Sequence, residues 1–128
     1  SSDVSAAYDP MFASAFEKRS SAFFGKGLVF NKFTGSRGKN GSNDANAEYL
    51  AQIRKVMDEA EVGYQYAELG KVDVGGGGTI AYIMAQYGME VIDSGVAVLC
   101  MHALYEISSK ADVYEAVKGY KAFIEKIG

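Results

Sequence analysis

One cysteine, one histidine, one proline and no tryptophan occur in 128 residues. A single cysteine excludes an internal disulfide, so nothing in the chain marks an oxidising compartment. A single histidine cannot supply a metal site by itself, because zinc takes several ligands. No apolar run is long enough to cross a bilayer, so no membrane span is expected. The N-terminus lacks the basic-then-apolar pattern of a secretion signal, and a cytoplasmic location is the resulting expectation. A formal net charge of −3 gives no electrostatic footprint for nucleic acid. The only basic pair in a loop, Arg37 and Lys39, reads as solvated.

What is present is ordinary in amount and uneven in placement. Apolar residues make up 48% and charged residues 23%, the balance of a globular chain. At this length residues 1–128 read as one domain with a real core. Nine of the fifteen glycines cluster at Gly25/Gly27, Gly35/Gly38/Gly41 and Gly75 to Gly78, between periodic segments. Ala47, Leu50, Ile53, Met57 and Ala60 form a stripe that predicts a helix over 45–61, capped from Ser42-Asn43-Asp44. Thr79 to Tyr87 predicts a second helix with Ile80, Ile83, Met84 and Tyr87 on one face. A third is predicted over 111–126, capped by Ser108-Ser109, with Val113, Val117, Tyr120, Ile124 and Ile127 on its buried side. Strands are expected at 27–33, 64–69 and 89–92, the last bounded by Asp93-Ser94-Gly95. Tyr8 to Phe24 is irregular and rich in Phe. Strands alternate with helices, so the expected class is α/β, a layered α/β/α sandwich with a mixed sheet.

Three places carry candidate chemistry. Val96 to Met101 is an apolar run that ends on His102. Alone, that residue reads as a core histidine with both ring nitrogens hydrogen-bonded, and as a metal ligand only if the fold brings partners. Cys100, beside it, reads as a small inert hydrophobe. Asp3 lies in what reads as a strand end; a buried carboxylate there needs a partner or a metal, and an exposed one is simply solvated. Gly75 to Gly78 lead into a helix N-terminus. They lack the Lys-Ser/Thr of a P-loop and the spacing of a dinucleotide fingerprint. Such a loop presents backbone N–H groups to an anion or oxyanion, or serves only as a tight connection.

Taken together, several motifs resemble one family. They are Ser2-Asp3-Val4, Gly25-Lys26-Gly27, Asp73-Val74-Gly75-Gly76-Gly77-Gly78-Thr79-Ile80, Asp93-Ser94-Gly95, and Met101-His102 with Glu106. In this order they resemble the C-terminal part of the aspartyl aminopeptidase and aminopeptidase I family of zinc exopeptidases, over essentially the whole chain. The resemblance implies that Asp3 and His102 are metal ligands of a two-zinc centre. It also implies that Gly77, Gly78 and Thr79 lie beside a peptide substrate. The remaining ligands and the general base would then come from upstream segments, and the chain would be inactive alone. In that picture zinc-activated water attacks the first peptide bond of a peptide with a free amino terminus. Glu106 would support the site or be an ordinary surface acid. The family also implies a homo-oligomer.

The chain departs from the aspartyl-selective pattern at two positions. Ala6 stands where a His is typical, and Asn31 where a Lys is typical, with Lys32 one step off on the opposite strand face. Neutral N-terminal residues are therefore the expected substrates. A different class, a non-catalytic α/β binding or interaction module, makes His102 a core residue and the glycine loop a turn. The start of the chain inside a strand weighs against it.

Overall fold

The computed structural model describes residues 1–35, 41–71 and 79–127. Its centre is an extended run, β6 (Asp93–Gly95) and β7 (Ala97–Leu99), separated only by Val96. β1 (Ser5–Ala6) lies parallel to β7, with Ser5 opposite Ala97. Its hydrogen bonds continue along the whole run: Asp3 N–H to Ser94 O at 3.0 Å, Ser5 N–H to Val96 O at 2.9 Å, Ala7 N–H to Val98 O at 2.9 Å. β2 (Leu28–Asn31) pairs antiparallel with β6 and parallel with β5 (Tyr64–Tyr66). β3 (Phe33–Thr34) and β4 (Asn43–Asp44) form a two-stranded ribbon, and β8 (Ile107–Ser108) pairs antiparallel with β7. The class is mixed α/β with mixed sheets, as the alternation of strand and helix patterns predicts.

Successive strand residues face opposite sides, and β2 divides accordingly. Leu28 and Phe30 belong to a cluster closed by α1 (Ala47–Glu59) and α3 (Lys110–Lys126), with Ile53, Val56 and Met57 from α1 and Ala116 and Ala122 from α3. Leu28, Ile53 and Met57 are fully enclosed, and burying each contributes roughly 2–3 kcal/mol. Val29 belongs to a second cluster of small residues, Ala7, Ala22, Ala67 and Ala97.

All three helices differ from expectation in instructive ways. α1 starts later than predicted because Asn46, not Ser42 to Asp44, is its cap: its side-chain oxygen accepts the Tyr49 N–H at 2.7 Å. α3 buries Asp112, Ala116, Gly119 and Ala122 and leaves Val113, Val117 and Ile124 exposed. Tyr120 and Ile127 pack against the core as predicted, while Val113, Val117 and Ile124 face outward because the helix comes close to the sheet through its small residues. A Cβ on Gly119 would sit 2.7 Å from a Leu28 methyl. Asp112 is fully buried because its carboxylate takes Gly25 N–H at 2.9 Å and Gly27 N–H at 2.8 Å. α2 (Ala81–Ala85) is shorter than predicted, and Ile80, Ile83, Met84 and Tyr87 are exposed. The strand expected at 89–92 begins instead at Asp93, where backbone pairing to β2 and β1 starts. Residues 10–15 and 18–20 of the irregular Phe-rich segment form short 3-10 turns.

Candidate functional site

Asp3 is exposed just before β1, and its Oδ1 accepts the N–H of its own neighbour Val4 at 2.8 Å. His102 is also exposed, in the turn that joins β7 to β8. That turn is unusual. Cys100 and His102 have φ of 58° and 70°, a region that non-glycine residues seldom occupy. The His102 N–H donates to Glu106 Oε1 at 2.6 Å, and Ala103 N–H to Cys100 O at 3.0 Å. Glu106 therefore has a structural role, holding the turn closed. Cys100 is exposed rather than packed among apolar neighbours, since the extended strand ends one residue earlier.

Asp3 precedes β1 and His102 follows β7, and these two strands are parallel neighbours. Ser2 bridges to Ser94 and Ser5 pairs with Ala97, so Asp3 stands level with Gly95. His102 lies three residues beyond Leu99. Among the described residues, no group of three or more His, Cys, Asp or Glu side chains is placed to hold a metal ion. A carboxylate and an imidazole are donors that suit zinc, but two donors are too few to hold the ion by themselves. The described residues do not form a zinc site by themselves.

What the fold does assemble is a buried polar set on the face of the sheet opposite α1 and α3. Gly77 and Gly78 lie outside the described residues. Thr79, immediately before α2, is 8% exposed and donates its hydroxyl to Asp93 Oδ2. Ala81 N–H reaches Thr79 Oγ1 at 3.4 Å, and Thr34 Oγ1 lies 3.5 Å away. Asp93 is 1% exposed, and its Oδ1 has no partner among the described residues. Asn31, opposite Asp93 across β2 and β6, accepts the Ser5 hydroxyl at 3.1 Å. Sequence reasoning places Asp93 in a bounding turn. The signal for more is an acid set between Val91-Ile92 and the apolar residues of β7, a position that strand burial makes costly unless the carboxylate is held.

Glu68 lies close to Asp44 and Lys32. Burial, then the Asp44 carboxylate, push the Glu68 carboxyl up to about 7, against the Lys32 ammonium, which pulls it down. Lys32 is ion-paired to Asp44. No helix among the described residues is long and apolar enough to cross a membrane.

A sequence profile described as Aminopeptidase I zinc metalloprotease (M18) matches residues 1–124. The chain belongs to this family. The probable M18 family aminopeptidase 1 of Clostridium acetobutylicum is 65% identical over 124 residues, covering 97% of this chain and 27% of that protein. The crystal structure of aminopeptidase I from that organism superposes with a TM-score of 0.91 at 66% identity, over 96% of this chain and 27% of that one. The Thermotoga maritima M18 aminopeptidase structure gives 0.94 at 47% identity, over 99% and 28%. The mApe1 dodecamer of Saccharomyces cerevisiae, at 22% identity and a TM-score of 0.75 over 98% and 26%, shares the fold. The chain thus spans just over a quarter of the length of the curated relatives it matches.

Proposed function

We propose that residues 1–128 work as the C-terminal portion of a single catalytic domain in a longer zinc aminopeptidase. That enzyme removes the N-terminal residue of peptides. The observation that carries this reading is the family match over residues 1–124, joined to relatives of which the chain covers only 27%. The chain alone is inactive on this reading, and the metal centre is completed by groups it does not contain.

His102 is the donor that the fold presents most openly. It is exposed, on a strained turn, at the carboxyl end of two parallel strands, where sites of open α/β sheets gather. Asp3 enters as the second donor of a two-zinc centre on the resemblance alone. Gly77, Gly78 and Thr79 enter as the substrate-binding segment on the same ground. A neutral N-terminal residue is preferred: Lys32, the cation next to the selectivity position, is paired to Asp44, and Asn31 is buried against Ser5. A homo-oligomer and a cytoplasmic location complete the reading.

The test uses the full-length enzyme and peptides beginning with Leu, Met or Asp. Leu and Met should leave faster than Asp; the reverse order defeats the preference. His102→Ala should lower bound zinc and cut kcat/KM by about 100-fold or more, the scale of losing a metal ligand's partner or worse. Full activity in that variant ends the assignment. Asp3→Asn is the paired measurement: an equal loss of zinc puts both donors in one centre, and unchanged zinc removes Asp3 from it.

A further inference from the structure

Asp93 is a fully enclosed carboxylate whose two oxygens are treated differently. Oδ2 takes the Thr79 hydroxyl, and Oδ1 has no donor among the described residues. Leaving a buried acceptor unmatched costs about 1–3 kcal/mol, so an acid here needs a reason beyond packing. The direction of the bonds around Thr79 supplies one. A hydroxyl has one proton. Thr79 gives it to the carboxylate, which leaves its own oxygen to accept. The groups facing that oxygen are the Ala81 N–H at 3.4 Å and Thr34 Oγ1 at 3.5 Å. The carboxylate therefore orients the hydroxyl, and the hydroxyl ties the entry of α2 to β3 and β6. Threonine has few χ1 wells, and a charge-assisted bond selects one of them.

We infer that Asp93 is a positioning residue: it fixes Thr79, and so the point where the chain enters α2, in one orientation toward the substrate. The inference rests on the proposed function for the idea that Thr79 meets substrate. The Asp93–Thr79–Ala81 linkage stands apart from it, on the geometry. Asp93 touches no substrate atom in this scheme and acts only through Thr79.

The test compares Asp93→Ala, Asp93→Asn, Thr79→Val, Thr79→Ser and the double variant Asp93→Ala/Thr79→Val in the full-length enzyme. Two readouts are taken: kcat and KM on a Leu peptide, and hydrogen exchange at the Ala81 amide. Asp93→Ala and Thr79→Val should each lower kcat/KM by about 100-fold, the scale of a misplaced contact near the reacting centre. Asn and Ser keep an acceptor and a hydroxyl and should restore most of it. The double variant should fall no further than either single, because the two side chains act as one unit. Ala81 should lose protection in both single variants and keep it in Thr79→Ser. Additive losses overturn the inference, and so does deprotected Ala81 with unchanged kcat/KM. A wild-type enzyme that cleaves no peptide defeats the proposed function instead, and unchanged Ala81 exchange in Asp93→Ala then defeats the linkage by itself.

Discussion

The two faces of the central sheet are built on different principles. Under α1 and α3 the sheet carries Leu28 and Phe30 against Ile53, Val56 and Met57, and polar groups there are fully matched where they matter, as at Asp112. On the other face the apolar cluster is almost all alanine, and beside it lie Ser5, Asn31, Thr34, Thr79 and Asp93. One face is closed by large side chains of α1 and by the small residues of α3. The other holds polar groups with an oxygen still to be matched. The difference separates stability from chemistry: substitutions on the first face should act on folding, and those on the second on what the folded protein does.

The strongest challenge to that division is Gly95, which joins the faces. A Cβ there would lie 1.5 Å from the Asp3 carbonyl oxygen, a backbone atom that cannot move aside without breaking the β1 pairing. Gly95→Ala should cost more than about 4 kcal/mol, the range reserved for such clashes, and urea unfolding of the chain measures it. A loss under 1 kcal/mol would show that β1 is not an integral strand.

Asp112 sharpens the comparison from the helical side. Asp112→Ala leaves the Gly25 and Gly27 N–H groups without their acceptor and should cost about 3 kcal/mol; Asn retains one good oxygen and should cost about half. Gly27 adds to the constraint, with φ of +84° and the Gly63 carbonyl 1.9 Å from where a Cβ would stand. If the Asp93→Ala variant loses more stability than Asp112→Ala, the assignment of roles to the two faces is reversed.

The helices were legible where periodicity and caps agreed. Ser109 caps α3 through Asp112 N–H, and Ile53 and Met57 sit in the α1 core as their spacing predicts. The buried side of α3 was not legible, because hydrophobicity points to Val113 and Val117 while close approach selects Ala116, Gly119 and Ala122. Spacing marks large apolar residues and is blind to a contact made by small ones. The site was legible only in part. Motifs single out Asp3, Thr79 and His102, while the pairing of β1 with β7 that sets the strands carrying Asp3 and His102 side by side is long-range and leaves no local signal. Asp93 hid in a sequence that reads as a turn, since Asp-Ser-Gly is turn-like in composition and becomes strand only by pairing with β2.

The smallest expected effect concerns Glu68, beside the Lys32–Asp44 pair, and its sign follows from burial. Its carboxyl moves from the ordinary 4.5 to about 7 in the fold. Between those values the unfolded chain has released the proton and the folded chain still holds it, so the folded state binds more protons and stability falls as pH rises. The contribution is favourable below about pH 4.5, is lost across the window to pH 7, and is constant above it. At full weight a shift of this size corresponds to about 3 kcal/mol; Glu68 is only partly buried, and solvent screening reduces this to about 1 kcal/mol. Glu68→Gln removes the titration. The difference in unfolding free energy between wild type and Glu68→Gln, followed by urea titration from pH 4.5 to 8, should therefore move by about 1 kcal/mol in favour of the variant. A flat difference would mean that the carboxyl meets water as freely in the fold as in the unfolded chain.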